Sequence, residues 1–162
     1  MAYRLRNAML GFAALSLAAC QSAPEASQPA APEPSLGPIA ALPGSAIMDQ
    51  SVTITPAGKG VPARYAAFSG MWAGRLEGIY EGKLAVLSVS SKGTVTVTYA
   101  WGKLGDNNPG VADGAGKIVG NTLKLGRLPN GADASFMIQP DGALAVTYAL
   151  AGQTYRGSFS KQ

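Results

Sequence analysis

The side chains that most often carry catalysis and metal binding are almost absent from this chain. It contains one cysteine, Cys20, and no histidine. A single thiol cannot form an intramolecular disulfide, and without histidine neither a Ser-His-Asp triad nor a Cys-His pair can be assembled. Histidine-based metal sites are excluded for the same reason. We therefore predict no metal site and no cofactor.

Carboxylates are the remaining candidates for acid–base chemistry, which needs two of them in one cleft with pKa values pushed apart. Asp141 instead lies in a predicted hairpin turn, and Asp133 follows another turn. Glu77 and Glu81 flank the first predicted hairpin. Solvated turn positions account for all of these residues, so we predict that the protein is not an enzyme.

One predicted loop is rich in oxygen donors. Asp106, Asn107, Asn108 and Asp113 follow one another closely there, and calcium takes ligands of this kind. Their spacing is not that of a known calcium-binding loop, and the same residue types are typical of turns. We interpret the segment as a turn.

Aromatic residues supply the candidate binding side chains. Six of them could line a ligand cavity or a glycan platform, or simply fill the core. They are Trp72, Tyr80, Tyr99, Trp101, Tyr148 and Tyr155. Together with a basic residue, three of these form our predicted ligand-binding set: Trp72, Tyr99, Trp101 and Arg156. Trp101 stands at a strand end beside Gly102, so we expect it to be the most exposed of them.

An uncharged apolar segment begins the chain. Arg4 and Arg6 precede residues 8–19, which carry no charge. Twelve residues are too few to span a bilayer as a helix, which needs about 20. A basic start, a short apolar segment and small residues at its end are typical of a cleavable signal peptide, which we assign to residues 1–19.

The end of this segment, Leu17-Ala18-Ala19-Cys20, resembles the lipobox of bacterial lipoproteins. The resemblance implies cleavage before Cys20, acylation of its thiol, and anchoring in a lipid bilayer. By similarity to the sorting rule of bacteria with two membranes, Gln21 in place of aspartate favours the outer membrane. An ordinary signal peptide with an incidental cysteine is the alternative.

A linker follows the cysteine. Residues 20–44 are rich in alanine, serine and proline, and proline both lacks a backbone N–H and fixes its own φ. We predict a disordered, semi-extended tether of about 3.1 Å per residue. Residues 45–67 are predicted to be an irregular lead-in, in which Ser51–Thr55 is either a short strand on the domain's edge or part of the linker.

From residue 68 to 162 the pattern is that of short strands separated by turns. Residues 94–101 alternate Val95, Val97, Tyr99 and Trp101 with threonine and alanine, the period-two signal of a half-buried antiparallel strand. Eight such strands are predicted: 70–77, 83–90, 94–101, 116–119, 122–125, 134–139, 143–150 and 154–160. The fold class is therefore all-β, a small up-and-down barrel or a sandwich.

The first strand opens with Gly70-Met71-Trp72, which resembles the Gly-x-Trp of lipocalin-like barrels, the calycin group. In that group the tryptophan closes one end of the barrel under a basic residue from the last strand. The resemblance implies this role for Arg156. Arg156 is nevertheless on the strand face opposite Tyr155 and Phe159, so the pairing requires a twist or bulge.

Charge and compartment limit the possible partners. The formal charge is +4, and the basic residues are scattered singly, which does not indicate nucleic-acid binding. We predict a non-enzymatic envelope lipoprotein whose barrel binds a small apolar ligand, a glycan or an envelope partner. The alternative is a periplasmic protease inhibitor, because the known lipoprotein inhibitors have a Pro-rich tether and an eight-stranded barrel. This chain lacks the cysteine pair of that family.

Overall fold

The computed structural model of this chain describes residues 44–48 and 51–162. The predicted signal peptide, Cys20 and the linker up to residue 43 lie outside the described residues. The described part contains eight antiparallel strands that form a closed barrel. Each strand pairs with the next one in sequence, and the last pairs with the first. The prediction of an all-β domain is confirmed, and of its two architectures the barrel is the correct one.

The elements are short and follow one another with few intervening residues. A single turn of helix, α1 (Ala63–Ala66), precedes the strands. No helix within residues 44–48 and 51–162 has the length and hydrophobicity needed to cross a membrane. The strands are β1 (Gly70–Leu76), β2 (Tyr80–Val89), β3 (Thr94–Trp101), β4 (Gly110–Val119), β5 (Thr122–Leu125), β6 (Asp133–Ile138), β7 (Leu144–Leu150) and β8 (Gln153–Lys161).

Alternation along each strand decides which side chains fill the barrel. In β3 the apolar residues predicted to share one face, from Val95 to Trp101, are all buried. Thr94 and Thr96 on the other face are exposed. The turn glycines Gly93 and Gly142 have positive φ, as the tight hairpins predicted there require.

β4 departs from the prediction because it begins at Gly110 and not at residue 116. Residues 110–115 of the predicted long loop are therefore strand, whereas residues 102–109 lie between β3 and β4. The inward-facing residues of this part are small, so its sequence lacks the alternation of large and small side chains that marks the other strands. At Gly110 the small size has a packing reason, because a Cβ there would lie 2.5 Å from the Trp101 ring.

The lead-in segment lies against the outside of the barrel. Ala46 and Met48 are buried with Ala85 and Ala100, which project outward from β2 and β3. The segment is tied at both ends: Lys103 N–H donates to the carbonyl oxygen of Gly44 at 2.7 Å, and Thr55 N–H donates to that of Leu87 at 2.8 Å. Ser51–Thr55 is not a strand of the sheet, although it packs on the domain.

Two glycines allow β8 to close on β1. A Cβ on Gly74 would collide with the carbonyl oxygen of Ser158, and a Cβ on Gly157 would collide with that of Arg75. Neither glycine has a positive φ, so the requirement here is close approach of two backbones.

Candidate functional site

Trp72 anchors the end of the barrel where the chain enters β1. Its side chain is 1% exposed, and its Nε1–H donates to the carbonyl oxygen of Phe68 at 2.8 Å. Phe68 is itself fully buried just before the strand. This hydrogen bond satisfies the only polar group of the indole and joins the residues just before β1 to the barrel core.

The basic residue that lies over Trp72 is Lys161. Its Nζ is 5.2 Å from the centroid of the indole, within the range of a cation–π contact. Arg156, which the calycin resemblance assigned to this position, is exposed on the outer face of β8 and pairs with Thr147 of β7. No twist or bulge turns Arg156 inward, because the β7–β8 register is continuous. Lys161 shares the face of Phe159, so alternation alone could have identified it.

Tyr99 lies at the centre of an aromatic cluster that occupies the barrel interior. Its ring is stacked on Trp101 with centroids 6.2 Å apart, and it meets Phe136 at 5.8 Å and Tyr148 at 6.1 Å. Phe136 continues the cluster to Phe159 at 6.0 Å. These separations are those of packed aromatic pairs. The large side chains on the inner face of the sheet thus pack against one another.

The two buried tyrosine hydroxyls in this cluster differ in their partners. Tyr148 Oη accepts a hydrogen bond from Asn130 Nδ2 at 2.6 Å, whereas no described residue hydrogen-bonds with Tyr99 Oη. Burial raises the pKa of Tyr99 above its ordinary value, and Tyr148 raises it further. Burial also raises the pKa of Tyr148, although the hydrogen bond from Asn130 opposes the change.

Trp101 is buried and not exposed as the sequence suggested. It is 8% exposed, and its Nε1–H donates to the carbonyl oxygen of Asn108 at 3.0 Å. Gly110 packs on the ring from the next strand. The loop between β3 and β4 therefore covers Trp101 and is held in place by it.

The four predicted binding residues do not form a single site. Trp72, Tyr99 and Trp101 are core residues, whereas Arg156 is on the outside of the barrel. Their assignment to ligand binding stays a prediction. What the structure adds is that any molecule reaching the three aromatic rings must first displace the side chains packed around them.

Three carboxylates of the barrel make structural contacts with a backbone N–H or with a residue of a neighbouring strand. Asp141 Oδ1 accepts from the N–H of Ala143 within its turn, and Glu77 Oε1 accepts from the N–H of Arg156. Glu81 Oε1 lies 3.6 Å from Arg75 Nη2 in an ion pair. These contacts agree with the interpretation of the carboxylates as turn and surface residues.

The oxygen donors of the predicted loop are divided between two elements. Asp113 is on the outer face of β4 and accepts a hydrogen bond from the Thr98 hydroxyl at 2.5 Å. Asn107 remains in the loop, where its backbone pairs with Leu104. Among the residues that the structure describes, no three His, Cys, Asp or Glu side chains are grouped to hold a metal ion.

Three depressions lie on the outer surface of the barrel or between β4 and the β5–β6 loop. A groove of about 330 Å³ lies over the Arg75–Glu81 pair. A second, of about 380 Å³, lies between Val52 of the lead-in segment and Val111 of β4. A smaller cleft of about 80 Å³ opens between β4 and the β5–β6 loop, with Val97 in its lining.

No protein-family model matches the chain. A search of curated proteins likewise finds no significant match.

Proposed function

We propose that this chain is a lipoprotein of a bacterial envelope, held in the outer membrane by acyl chains on Cys20. Its barrel is a non-enzymatic module that binds a small apolar ligand, a glycan or an envelope partner. The lipobox-like residues 17–20 support the anchor, and a small closed barrel is compatible with a binding role. Nucleic acid is not a partner in this proposal.

The observation that directs the proposal is the filled interior of the barrel. Tyr99, Phe136 and Phe159 are fully buried and pack ring against ring. The grooves of about 330 and 380 Å³, in contrast, are bounded by outward-facing side chains. This arrangement favours recognition on the outer surface over enclosure of a ligand in the barrel.

The anchor is tested by metabolic labelling of the full chain with radioactive palmitate in a bacterium with two membranes. We expect label on the wild-type protein and its recovery in the outer-membrane fraction. Cys20→Ser is the matched control, because it removes the acylated atom and leaves the signal sequence unchanged. Unlabelled wild-type protein, or its recovery from the culture fluid, would refute the anchor.

The binding surface is tested with an apolar fluorescent probe, N-phenyl-1-naphthylamine. A filled interior predicts that the protein does not take up this probe stoichiometrically. Saturable binding of one probe per chain, with energy transfer from the tryptophans, would show instead that the interior opens. In that case the outer-surface part of the proposal fails, and the enclosed-ligand form of the binding role replaces it.

A protease inhibitor is the second candidate, supported by the closed eight-stranded barrel that it would share with such lipoproteins. Secreted metalloproteases and serine proteases assayed with stoichiometric amounts of the full chain would test it. Inhibition would support this function, and unchanged proteolysis of a standard substrate would remove it.

A further inference from the structure

β4 has an edge that the barrel leaves partly unpaired. It pairs with β3 from Gly110 to Lys117, but with β5 only from Gly116 to Val119. β5 ends at Leu125, and the chain then leaves the sheet for a loop before β6 begins. Residues 110–115 therefore have a neighbouring strand on one side only.

The directions of the backbone groups on this edge follow from two hydrogen bonds. Ile118 N–H donates to the carbonyl oxygen of Gly93, on the β3 side, whereas the carbonyl oxygen of Ala115 accepts from Gly126 N–H on the opposite side. Successive residues of a strand direct their N–H and C=O groups to alternate sides. Val111 and Asp113 consequently direct theirs away from β3, as Ala115 does.

These groups lack protein partners. No hydrogen bond found within residues 44–48 and 51–162 engages the outward N–H or C=O of Val111 or Asp113, or the N–H of Ala115. Val111 is 55% exposed, and Asp113 and Ala115 are also exposed. Such a row of free donors and acceptors is a template for one more strand.

A cleft continues the edge toward the barrel interior. It runs between Ala112 and Gly114 on β4 and Leu128 and Pro129 in the β5–β6 loop, with buried Val97 in its lining. Its volume is about 80 Å³, which accommodates small apolar side chains such as those of alanine and excludes large ones. A Cβ on Gly114 would approach the protein no closer than 3.9 Å, so the cleft is open there.

We propose that residues 110–114 of β4 bind an extended peptide segment of a partner protein, which adds to the sheet as an extra strand. This inference rests on the proposed binding role of the barrel and gives that role a site and a partner class. Backbone hydrogen bonds to Val111 and Asp113 supply the affinity, and side chains at alternate positions supply the specificity. Ala115 bounds the site, because Gly126 already occupies the position opposite it.

The pattern of side chains on β4 specifies the preferred peptide. A residue directly opposite Asp113 projects to the same outer face, where a basic side chain is favoured beside the carboxylate. Its two neighbours project inward toward Ala112 and Gly114, where small apolar side chains fit the cleft. The partner segment thus carries a basic residue between two small apolar residues.

A second copy of this chain fits the edge poorly. Antiparallel pairing of two β4 edges through Val111 and Asp113 places each Asp113 opposite a Val111, so neither carboxylate gains a basic partner. The chain's own linker is also unsuitable. Residues 20–44 contain no lysine or arginine, and Glu25 and Glu33 carry the same charge as Asp113.

The test uses the full chain in detergent and a random peptide library displayed on phage. We expect enrichment of extended sequences with a basic residue between small apolar ones. Hydrogen exchange of the full chain with a selected synthetic peptide should show new protection at the amides of Val111 and Asp113. A library that yields no binder, or binders that protect other amides, overturns the edge assignment.

Two variants and one control show whether peptide binding depends on the β4 edge. Val111→Pro removes an outward N–H that the β3 ladder does not use, and Gly114→Val fills the cleft. Each should weaken the selected peptide about fivefold or more, the loss expected for at least one hydrogen bond or apolar contact. Val111→Thr keeps the N–H and should bind as the wild type does. Equal affinity for all four proteins would overturn the proposal.

The remaining outcomes distinguish this site from the general binding role. Peptide protection on another part of the barrel leaves the binding role intact and refutes the β4 edge. Concentration-dependent dimerisation that Val111→Pro abolishes identifies a second copy as the occupant and refutes the partner peptide. Circular dichroism of each variant shows whether a lost signal comes from unfolding, and Gly114→Val retains the test if Val111→Pro does not fold.

Discussion

Lys161 Nζ lies 5.2 Å from the centroid of the Trp72 ring and 3.5 Å from the carbonyl oxygen of Ala67. The last strand therefore reaches across the indole to the segment that precedes the first strand. A Cβ on Gly70, which has a positive φ, would lie 2.9 Å from the Lys161 side chain, so a glycine at that position leaves space for the lysine. This contact adds a side-chain link to the backbone pairing of β1 with β8.

Replacement of Lys161 by alanine should lower the free energy of unfolding by about 0.5–1 kcal/mol, the size of an exposed cation–π contact. Arg156→Ala is the matched control, because Arg156 is a basic residue of the same strand that is exposed on the other face. Its removal should change stability by less than about 0.5 kcal/mol. Urea unfolding followed by tryptophan fluorescence measures both. An equal loss in the two variants would contradict the role of Lys161.

The same substitution at two buried tyrosines should have opposite effects. Tyr99→Phe removes a hydroxyl that is buried without a partner and should raise the free energy of unfolding by about 1 kcal/mol. Tyr148→Phe removes the acceptor of the Asn130 hydrogen bond and should lower it by about 1 kcal/mol. Chemical denaturation compares the two variants. Destabilisation by both would show that the Tyr99 hydroxyl has a partner, such as a buried water.

Alkaline pH should destabilise the barrel partly through Tyr99. Burial raises the folded-state pKa of Tyr99 above the ordinary value of 10.0, so the unfolded chain releases this proton first. The stabilising contribution is complete below about pH 10 and is lost as the pH rises toward the folded-state pKa. Unfolding free energies measured across this range should fall less steeply for Tyr99→Phe than for the wild type. Parallel curves of unfolding free energy against pH for the two proteins would contradict the prediction.

The closure of β8 on β1 should depend on the absence of a side chain at Gly157. Gly157→Ala places a Cβ against the backbone of Arg75 and should lower the free energy of unfolding by about 3 kcal/mol, because strand backbones must separate. Gly114→Ala is the control: its Cβ has room, and removing a strand glycine should raise stability by about 0.5 kcal/mol. Thermal unfolding monitored by circular dichroism distinguishes them. Similar melting temperatures for the two variants would show that the backbones of β1 and β8 can move apart at little cost.

The sequence alone was sufficient for the all-β class and for most strand positions. Alternation of large and small residues, as in Val95–Trp101, and turn residues such as Gly93 and Gly142 act within a hairpin, so their signals are local. β3 and β5 have the predicted bounds. Closure into a barrel was one of two alternatives, because a pattern of short strands is common to barrels and sandwiches.

Tertiary structure decided what covers each residue. Trp101 was expected to be exposed at a strand end, yet the β3–β4 loop and Gly110 bury it. The first half of β4 was not recognised, because its inward residues are small and give no alternation with large ones; at Gly110 the Trp101 ring of β3 leaves no room for a side chain. Local alternation identifies the face on which a side chain lies. Whether that face is packed, covered or left as an open edge depends on residues far away in the sequence, and only the assembled barrel brings them together.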